Sequence, residues 1–536
     1  MWHDLFLIAP LLLVLLMGLV ALLASVFATP GTSRGWLGYV TTFGFLLALV
    51  AAFALLGRTP AELQFESQPF MLAFTLDSFS LALTIVILLG ATLMTLATVH
   101  YLPEQNADHG EFYGLLSFAT VGMIGLVMAA DLLTFFISLE LMSIAVYILA
   151  GFKRQSRFST ESAMKYFVLG SFASGLLLLG IAFAYGATGE VSMAAIGEKI
   201  SHMKAAGSGD LVGFARLAML LITGAFFFKV AAAPFHMWVP DVYEGAPATA
   251  TGFMAVAVKT AAFGGFARLM LTAFGAENLR FEGVSWELLV AVGAVASMFL
   301  GNLMALAQKN LKRMLAYSAI AHTGYLMVAL LVIPKSAIEG NDTPLNALGA
   351  GLIFYLLAYT LANSAAFGVA AAVSGNDVED IDESSYAGLA KRSPGTALVL
   401  AIAMLSLLGI PLTAGFMGKL TIFDEVLSTR DNTYLWLVIV AVINSVISAW
   451  YYLRVILVAY MREERADKPI QLIRSRPLAV SLAVATLLTI AIGLMPSNAR
   501  SIAADAGGSL ARTTKPMLLA LPKAAAVTPH ATPHDR

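Results

Sequence analysis

The feature that most constrains this chain is a series of apolar runs, each about 20 residues long and separated by short polar or Gly- and Pro-containing turns. A helix of that length crosses the ~30 Å hydrocarbon core of a bilayer. We therefore predict an all-α membrane protein with about 14 transmembrane helices. The predicted spans lie near residues 5–27, 36–57, 76–98, 113–130, 131–151, 161–186, 211–238, 246–271, 287–307, 313–333, 347–374, 395–427, 433–461 and 477–496.

Composition agrees with a membrane protein and excludes several other classes. The chain is 59% hydrophobic and 12% charged, whereas soluble domains are about a quarter charged. A net charge of −1 gives no electrostatic reason to expect nucleic acid as a partner. Without cysteine, the chain holds no disulfide, thiolate zinc site or iron–sulfur cluster. No Gly-rich nucleotide-binding motif occurs, so we do not expect ATP-driven pumping.

The two ends of the chain differ in pattern. Residues 1–27 have the charge pattern of a first span rather than of a signal peptide, because no Lys or Arg precedes Arg34. Residues 497–536 are rich in Ala, Pro and Thr and predict a disordered tail. The expected organisation is a three-helix segment, two repeats, a last helix and the tail, over residues 1–112, 113–271, 272–461, 462–496 and 497–536.

Two of the spans carry sequences that interrupt a helix. Span 7 contains KVAAAP at 229–234, and span 12 contains GIPLTAG at 409–415. Proline inside a helix removes one hydrogen bond and clashes with the preceding turn, so we predict breaks near Pro234 and Pro411. Non-helical backbone at membrane depth persists only inside protein or beside a water-filled cavity. The alternative is two unrelated prolines in ordinary helices.

The spacing of the two breaks predicts an inverted repeat. The breaks lie five spans apart, which is an odd number, so spans 4–8 and 9–13 would cross the membrane with opposite topology. Two inverted five-helix repeats with broken helices 7 and 12 are the architecture of transporters in which the broken helices mark the ion site.

Charge in the loops gives an orientation. Lys and Arg are more frequent in the loops that follow odd-numbered spans, which places those loops in the cytoplasm and both termini on the outer, periplasmic side. Counting the basic residues of the tail removes the excess, so the prediction rests on the short loops, where the rule is strongest.

Four charged side chains lie deep inside the predicted spans, near a span centre or a break. Glu140 and Lys259 lie near the centres of spans 5 and 8, and Lys229 and Lys419 flank the two breaks. Each such residue costs about 2.5–3.5 kcal/mol to insert, and intramembrane ionisable groups are functional by default. The pattern indicates a protein that moves ions, protons foremost, across a bilayer.

Lysine and glutamate together suit a proton relay. Desolvation favours the neutral form of a buried lysine, whereas a nearby carboxylate favours the charged form. We therefore expect Glu140 and Lys229 within salt-bridge or one-water distance, and Lys229, Lys259 and Lys419 as a relay parallel to the membrane. The alternative is a static ion pair that only holds helices together.

Three further candidates are weaker. His322 is central in span 10 and would bridge the lysines with bound water, and His236 follows the break in span 7. Each histidine is equally consistent with a satisfied packing residue. Lys165 lies a few residues into span 6, where it is a relay candidate or a lysine that extends to the membrane interface.

Three segments together resemble a known family. They are FKVAAAPFHMWVPDVYEGAP at 228–247, LELMS at 139–143 and KNLKRMLAYS at 309–318. They resemble the antiporter-like membrane subunits of respiratory complex I, the NADH-quinone oxidoreductase, and the likeness spans the chain except the tail. Lysine at position 419, YEGAP at 243–247 and a short tail without a long lateral helix resemble the subunit N type within that family.

The resemblance implies a role for each charged position. Glu140 would pair with and modulate Lys229, Lys259 would continue the relay, and Lys419 would communicate with the far-side half-channel. The resemblance implies no cofactor in this subunit; flavin, iron–sulfur clusters and quinone would belong to partner subunits. The implied partners are other membrane-arm subunits, including sister antiporter-like subunits, in a bacterial inner (plasma) membrane.

A second class of protein remains open. A subunit of a multi-subunit cation/proton antiporter would use the same fold to exchange sodium for protons without electron transfer. A purely structural scaffold would have to explain four buried charges and is the weakest interpretation.

Overall fold

A computed structural model of the chain describes residues 2–29, 32–203, 209–275, 279, 285–339, 349–374, 382–429, 432–464 and 472–519. These residues are almost entirely helical and contain isolated β-bridges but no β-strand. The all-α membrane architecture expected from the apolar runs is confirmed.

The described residues of the first half of the chain form fourteen α-helices. They are α1 (Trp2–Leu7), α2 (Ala9–Phe27), α3 (Gly35–Leu56), α4 (Gln68–Ala73), α5 (Ser78–Thr98), α6 (Tyr101–Glu104), α7 (Glu111–Met128), α8 (Leu132–Ala150), α9 (Arg157–Thr188), α10 (Met193–Met203), α11 (Gly209–Lys229), α12 (Trp238–Gly245), α13 (Ala248–Phe253) and α14 (Lys259–Ala273). A π-helical segment, Met254–Val258, joins α13 to α14.

The second half continues in the same way. Its helices are α15 (Trp286–Leu306), α16 (Leu311–Glu339), α17 (Ala350–Val373), α18 (Leu389–Arg392), α19 (Pro394–Leu408), α20 (Ala414–Ser428), α21 (Leu435–Met461), α22 (Arg476–Leu494) and α23 (Ser497–Leu519). Short 3₁₀ helices cover Glu383–Tyr386 and Asn432–Tyr434.

The count of membrane spans agrees with the prediction once the breaks are considered. Within the described residues, 13 helices are long and apolar enough to cross a membrane. Span 12 is absent from that set because its first half, Pro394–Leu408, is a shorter apolar helix. The thirteen helices and the divided span 12 together give the fourteen expected spans.

The break in span 7 begins directly after Lys229, where α11 ends. Ala231 has a φ of 64°, a left-handed conformation that does not continue the helix. The amide of Ala232 donates to the Phe227 carbonyl at 2.7 Å, and the amide of Ala233 donates to Ser297 Oγ at 2.9 Å. Protein groups therefore satisfy the backbone that leaves the helix, as burial at this depth requires. The second half, α12, begins at Trp238, where the predicted span ended.

The break in span 12 is shorter. Helix α19 ends at Leu408, and Gly409 adopts a φ of 89°, a left-handed conformation that favours glycine. Its amide donates to the Leu405 carbonyl at 3.0 Å. Thr413 then caps α20 by accepting a hydrogen bond from the Phe416 amide. Both predicted breaks are confirmed.

Small residues allow the spans to approach one another. At the contact of α15 with α16, a Cβ added to Gly301 would lie 2.5 Å from the amide nitrogen of Ala321. Close helix–helix contact through small residues is the usual way in which transmembrane helices associate. It brings α16, which carries His322 and Thr323, against the centre of the molecule.

The expectation of a disordered tail is wrong for residues 497–519. They form α23, which packs on α5 and α17 and buries Ala503, Ala506 and Leu510. The Phe79 amide donates to Ser509 Oγ at 3.0 Å, which fixes the helix against the start of α5. Ala-rich composition favours helix as well as disorder, and the apolar contact decides between them. Residues 520–536 lie outside the described residues.

Candidate functional site

The lysines predicted at mid-membrane depth are all buried. The exposed fraction is 8% for Lys229, 4% for Lys259 and 6% for Lys419. They come from α11, α14 and α20, so the tertiary fold, and not the chain, brings them into one interior. We call these three residues the lysine row.

The first position of the lysine row faces α8. Lys229 Nζ donates to Ser143 Oγ at 2.7 Å and to the Tyr147 hydroxyl at 3.3 Å. Ser143 and Tyr147 lie three and seven residues after Glu140, so the three side chains share one face of α8. The ammonium group also lies 5.7 Å from the centre of the Tyr147 ring, within range of a cation–π interaction.

Glu140 does not form a direct ion pair with Lys229. Its Oε1 atom accepts a hydrogen bond from Ser174 Oγ of α9 at 2.5 Å. The hydroxyl groups of Ser143 and Tyr147, by contrast, bind the Lys229 ammonium group. Each of the two charged groups thus binds hydroxyl groups of its own, and the expected approach of Glu140 to Lys229 within one-water distance stays a prediction. Gly170 makes room for this arrangement, since a Cβ there would lie 2.1 Å from the Tyr147 hydroxyl.

The second position lies where a π-helical segment ends. Lys259 is the first residue of α14, directly after Met254–Val258. Its Nζ donates to the Ala319 carbonyl at 2.6 Å and to Thr323 Oγ1 at 2.9 Å, both on α16. π-Helical turns inside α-helices occur frequently at functional sites. Periodicity did not predict this one.

Thr323 connects the first break to Lys259. Its hydroxyl accepts the hydrogen bond from Lys259 and donates to the carbonyl of Val230 at 2.6 Å. Val230 follows Lys229 in the chain. A side chain that accepts from one lysine and touches the backbone next to the other can carry a hydrogen-bonded connection between the two positions.

His322 occupies the space between Lys259 and Lys419. Its Nδ1 atom lies 2.6 Å from the Tyr355 hydroxyl, and its Nε2 atom lies 3.0 Å from the Tyr452 hydroxyl. The Tyr359 ring, 5.2 Å from the imidazole, also lies 5.3 Å from Lys259 Nζ. His322 thus has a hydrogen-bond partner on both nitrogens and stands beside the lysine row.

The third position of the lysine row, Lys419, contacts the break in span 12. Lys419 Nζ donates to the carbonyl of Leu408, the last residue of α19, at 2.8 Å. It also donates to Ser445 Oγ at 3.1 Å and lies 4.8 Å from the centre of the Tyr325 ring. A cation is favoured at the carbonyl end of a helix. Tyr325 in turn packs edge-on against His322, with ring centres 5.7 Å apart.

The remaining candidates lie apart from the lysine row. His236 is half-buried in the first break, and its Nδ1 atom has no hydrogen-bond partner among the described residues. Lys165 forms ion pairs with Asp241 at 2.7 Å and Glu161 at 2.8 Å, and its side chain is 41% exposed. Lys165 is therefore a partly exposed residue of an ion-pair cluster and not a member of the buried lysine row.

Asp241 pairs with two basic side chains, Lys165 and Arg313. Arg313 donates to its Oδ1 atom at 2.8 Å, opposite the contact from Lys165. Partial burial acts to raise the pKa of Asp241, but the hydrogen bonds from Lys165 and Arg313 outweigh burial and hold the pKa below its usual value. Arg313 also contacts Glu244 at 2.7 Å. This cluster ties α12 to α9 and α16 and so supports the half-helix that follows the break.

Sequence reasoning missed most of the aromatic and hydroxyl partners. They are Tyr147, Ser174, Tyr355, Tyr359, Ser445 and Tyr452. Spacing could have found some of them, because Tyr147 follows Glu140 by seven residues and Tyr355 precedes Tyr359 by four, which places each pair on one helix face. No group of three or more His, Cys, Asp or Glu side chains in the described part of the chain could hold a metal ion.

Fold and site together define a class of protein. A family model described as "NADH:quinone oxidoreductase/Mrp antiporter, TM" matches residues 129–448, more than half of the chain. That range contains both breaks, Glu140 and the whole lysine row. The molecule is thus an antiporter-like membrane subunit.

Individual relatives define the family more narrowly. NADH-quinone oxidoreductase subunit N 1 of Sorangium cellulosum is 44% identical over 80% of this chain and 83% of its own length. Subunit N of Trichlorobacter lovleyi is 39% identical over 91% of this chain and 94% of its own length. The chain belongs to the NADH-quinone oxidoreductase subunit N family.

Two solved structures show how far the fold extends. A chain of respiratory complex I from Thermus thermophilus is 32% identical, with a TM-score of 0.71 over 91% of this chain and 97% of that chain. A chain of the Mrp complex from Dietzia sp. is 20% identical, with a TM-score of 0.77 over 97% of this chain and 100% of that chain. The second likeness shows a shared fold.

Proposed function

We propose that this chain is a proton-translocating subunit, without redox chemistry of its own, in the membrane arm of a bacterial NADH-quinone oxidoreductase. The observation that carries the proposal is the lysine row, three buried lysines from three helices. Hydroxyl groups and aromatic rings join its members. Membership of the subunit N family supports the assignment to that enzyme complex.

The partners and cofactors follow from the same assignment. Flavin, iron–sulfur clusters and quinone are held by partner subunits, and this chain contacts sister antiporter-like subunits in the inner membrane. The chain itself has no cysteine with which to ligate a cluster. By the positive-inside rule, the loops that follow odd-numbered spans face the cytoplasm and both termini face the periplasm.

The chain's own groups move the proton laterally. Glu140 lies on the same face of α8 as Ser143 and Tyr147, the partners of Lys229, so a change in the charge of either group is felt by the other. Thr323 leads from the first break to Lys259. His322, with a tyrosine hydroxyl on each nitrogen, passes a proton toward Lys419 by exchanging which nitrogen carries it. Water fills the gaps too long for direct transfer.

The second candidate function is that of a subunit in a multi-subunit cation/proton antiporter. The family model covers both kinds of protein, and the fold likeness to the Mrp chain favours keeping this candidate. Purification in native membranes separates the two. Partners that contain flavin and iron–sulfur clusters support the oxidoreductase, and a set of small membrane subunits supports the antiporter.

The central test replaces Lys259. Methionine keeps the length of the side chain and removes the ionisable group, so in Lys259→Met the assembled complex should lose proton uptake into vesicles while it still oxidises NADH. Lys259→Arg should also fail, because arginine keeps its proton in proteins. Removing a positioned proton-transfer group slows that step by roughly 100-fold or more.

A control and a contrary outcome complete this test. Lys199→Met removes a half-exposed lysine of α10 that pairs with Glu190 at 2.7 Å, and it should leave uptake unchanged. Normal proton uptake by fully assembled Lys259→Met would show that Lys259 is not on the path, and the lateral relay would be abandoned.

A further inference from the structure

A fourth ionisable group lies buried beyond the end of the lysine row. Glu425 is in α20, six residues after Lys419, which is about 9 Å along the helix axis. Only 9% of it is exposed. Gly418, Ile422 and Glu425 lie on the face of α20 that packs against α17. The relay from Glu140 to Lys419 does not use this carboxyl group.

The two oxygens of the Glu425 carboxyl group have different surroundings. Oε1 accepts a hydrogen bond from the backbone amide of Gly351, in the first turn of α17, at 2.9 Å. Oε2 is buried and has no hydrogen-bond partner among the described residues. A buried polar atom without a partner is unfavourable and calls for an explanation.

Glycine at position 351 makes this approach possible. A Cβ there would lie 2.6 Å from Glu425 Oε2. The amides at the beginning of a helix lack intrahelical partners and favour negative charge, so α17 stabilises the ionised carboxyl group through Oε1. Oε2 accepts no such hydrogen bond and is the oxygen of this carboxyl group that is open to a proton.

The first turns of α17 connect this site to the lysine row. Tyr355 lies one turn after Gly351, and its hydroxyl is the group 2.6 Å from His322 Nδ1. The Tyr355 ring also packs on α20, since a Cβ at Gly418 would lie 2.8 Å from it. Lys419 and Glu425 are separated along α20 by Ile422, which is 1% exposed. Proton transfer between them therefore needs water or side-chain movement at this apolar residue.

Charged groups on the far side of Glu425 reach solvent. Asp424 is its neighbour in α20, and Arg500 of α23 pairs with Asp424 where both side chains are about half exposed. Glu425 thus stands between the buried lysine row and the surface at which α20 ends and α17 begins.

We propose that Glu425 is the proton-binding group through which the relay exchanges protons with the solvent on this side of the membrane. The inference rests on the proposed function and adds a residue to it. A proton released from the Lys419 position binds Glu425 Oε2, and the carboxyl group then gives it to solvent near Asp424. No bond other than those to the proton changes. Under the proposed orientation, this side is the periplasm.

The test uses Glu425→Gln in the assembled complex. Glutamine keeps an oxygen to accept from the Gly351 amide, but it carries no exchangeable acid. We expect this subunit's share of NADH-driven proton uptake into vesicles to be lost, because the transfer step slows by roughly 100-fold or more. Asp424→Asn removes the neighbouring, exposed carboxyl group and should leave uptake unchanged.

Infrared difference spectroscopy separates a proton carrier from a structural residue. During NADH-driven turnover, the carbonyl band of a protonated carboxylic acid should appear and decay, and Glu425→Gln should lack that band. Unchanged uptake in Glu425→Gln, an equal loss in Asp424→Asn, or persistence of the band in Glu425→Gln would each overturn the proposal. Lys259→Met separates failure of the lateral relay from failure of the Glu425 proposal. Normal pumping by Lys259→Met would contradict the relay itself. Normal pumping by Glu425→Gln alone would leave the relay in place without Glu425.

Discussion

The two broken helices carry their lysines on opposite sides of the break. Lys229 is the last residue before the break in span 7, and its ammonium group turns away to Ser143 and Tyr147 of α8. Lys419 follows the break in span 12, and its ammonium group reaches back to the Leu408 carbonyl, the end of its own first half-helix.

The difference indicates that Lys419, unlike Lys229, stabilises the break beside it. Backbone amides and Ser297 close the break in span 7 without the Lys229 side chain. The Leu408 carbonyl in span 12 depends on Lys419 for a hydrogen bond. The backbone of the first break is therefore satisfied without Lys229, whereas Lys419 donates to the carbonyl end of α19.

The largest expected effects come from removing the two lysines. Lys229→Met and Lys419→Met should both slow proton transfer by roughly 100-fold or more. Only Lys419→Met should also destabilise the subunit, by about 1–3 kcal/mol, because it leaves the buried Leu408 carbonyl without that donor. The measurements are proton uptake in vesicles and the thermal stability of the purified complex. Equal stability of the two variants would break the comparison.

A smaller effect should separate the two regions further. Glu140→Gln keeps an oxygen to accept from Ser174 but removes the charge beside Lys229. We expect proton transfer to fall about tenfold, the equivalent of ~1.4 kcal/mol of lost charge interaction. Proton uptake at a matched NADH oxidation rate measures the change, and Glu161→Gln, an exposed carboxyl group of α9, serves as control. Uptake as low as in Lys229→Met would mean that Glu140 is itself an obligatory carrier.

The smallest effect should come from Lys165. Its side chain is 41% exposed, and Asp241 has a second partner, Arg313, at 2.8 Å. An exposed ion pair contributes about 0–1 kcal/mol, so Lys165→Gln should leave both stability and proton uptake nearly unchanged. Loss of uptake in this variant would show that the relay begins at this partly exposed lysine, outside the lysine row.

Much of the fold could be predicted residue by residue. Apolar length predicted the spans, and Pro234 and Pro411 predicted the two breaks, because each of these signals is local to one segment. The tail shows the limit. Residues 497–519 have no strong apolar run, and their helix is decided by the contact of Ala503, Ala506 and Leu510 with distant spans.

The sequence of a membrane helix does not show which of its sides faces lipid and which faces the protein interior. A span such as α8 exposes Leu133 and Ile137 on one side and buries Leu139 and Met142 on the other. Lipid is as apolar as a protein interior, so the hydrophobic pattern does not tell the two sides apart. The partners Ser174, Tyr359 and Ser445 could therefore not be assigned to Glu140, Lys259 and Lys419 from the sequence. The superposition of spans 4–8 on 9–13 by a two-fold axis stays a prediction.

The sequence by itself determined that four charges lie inside a polytopic membrane protein, because a charged residue in an apolar run is visible without any partner. Tertiary structure alone decided which groups those charges meet. It placed hydroxyls beside Glu140 and Lys229, turned Lys419 onto the Leu408 carbonyl, and buried Glu425 against the first turn of α17. The physical reason is range: insertion cost is set within one helix, whereas a hydrogen bond needs two helices at a fixed rotation and depth.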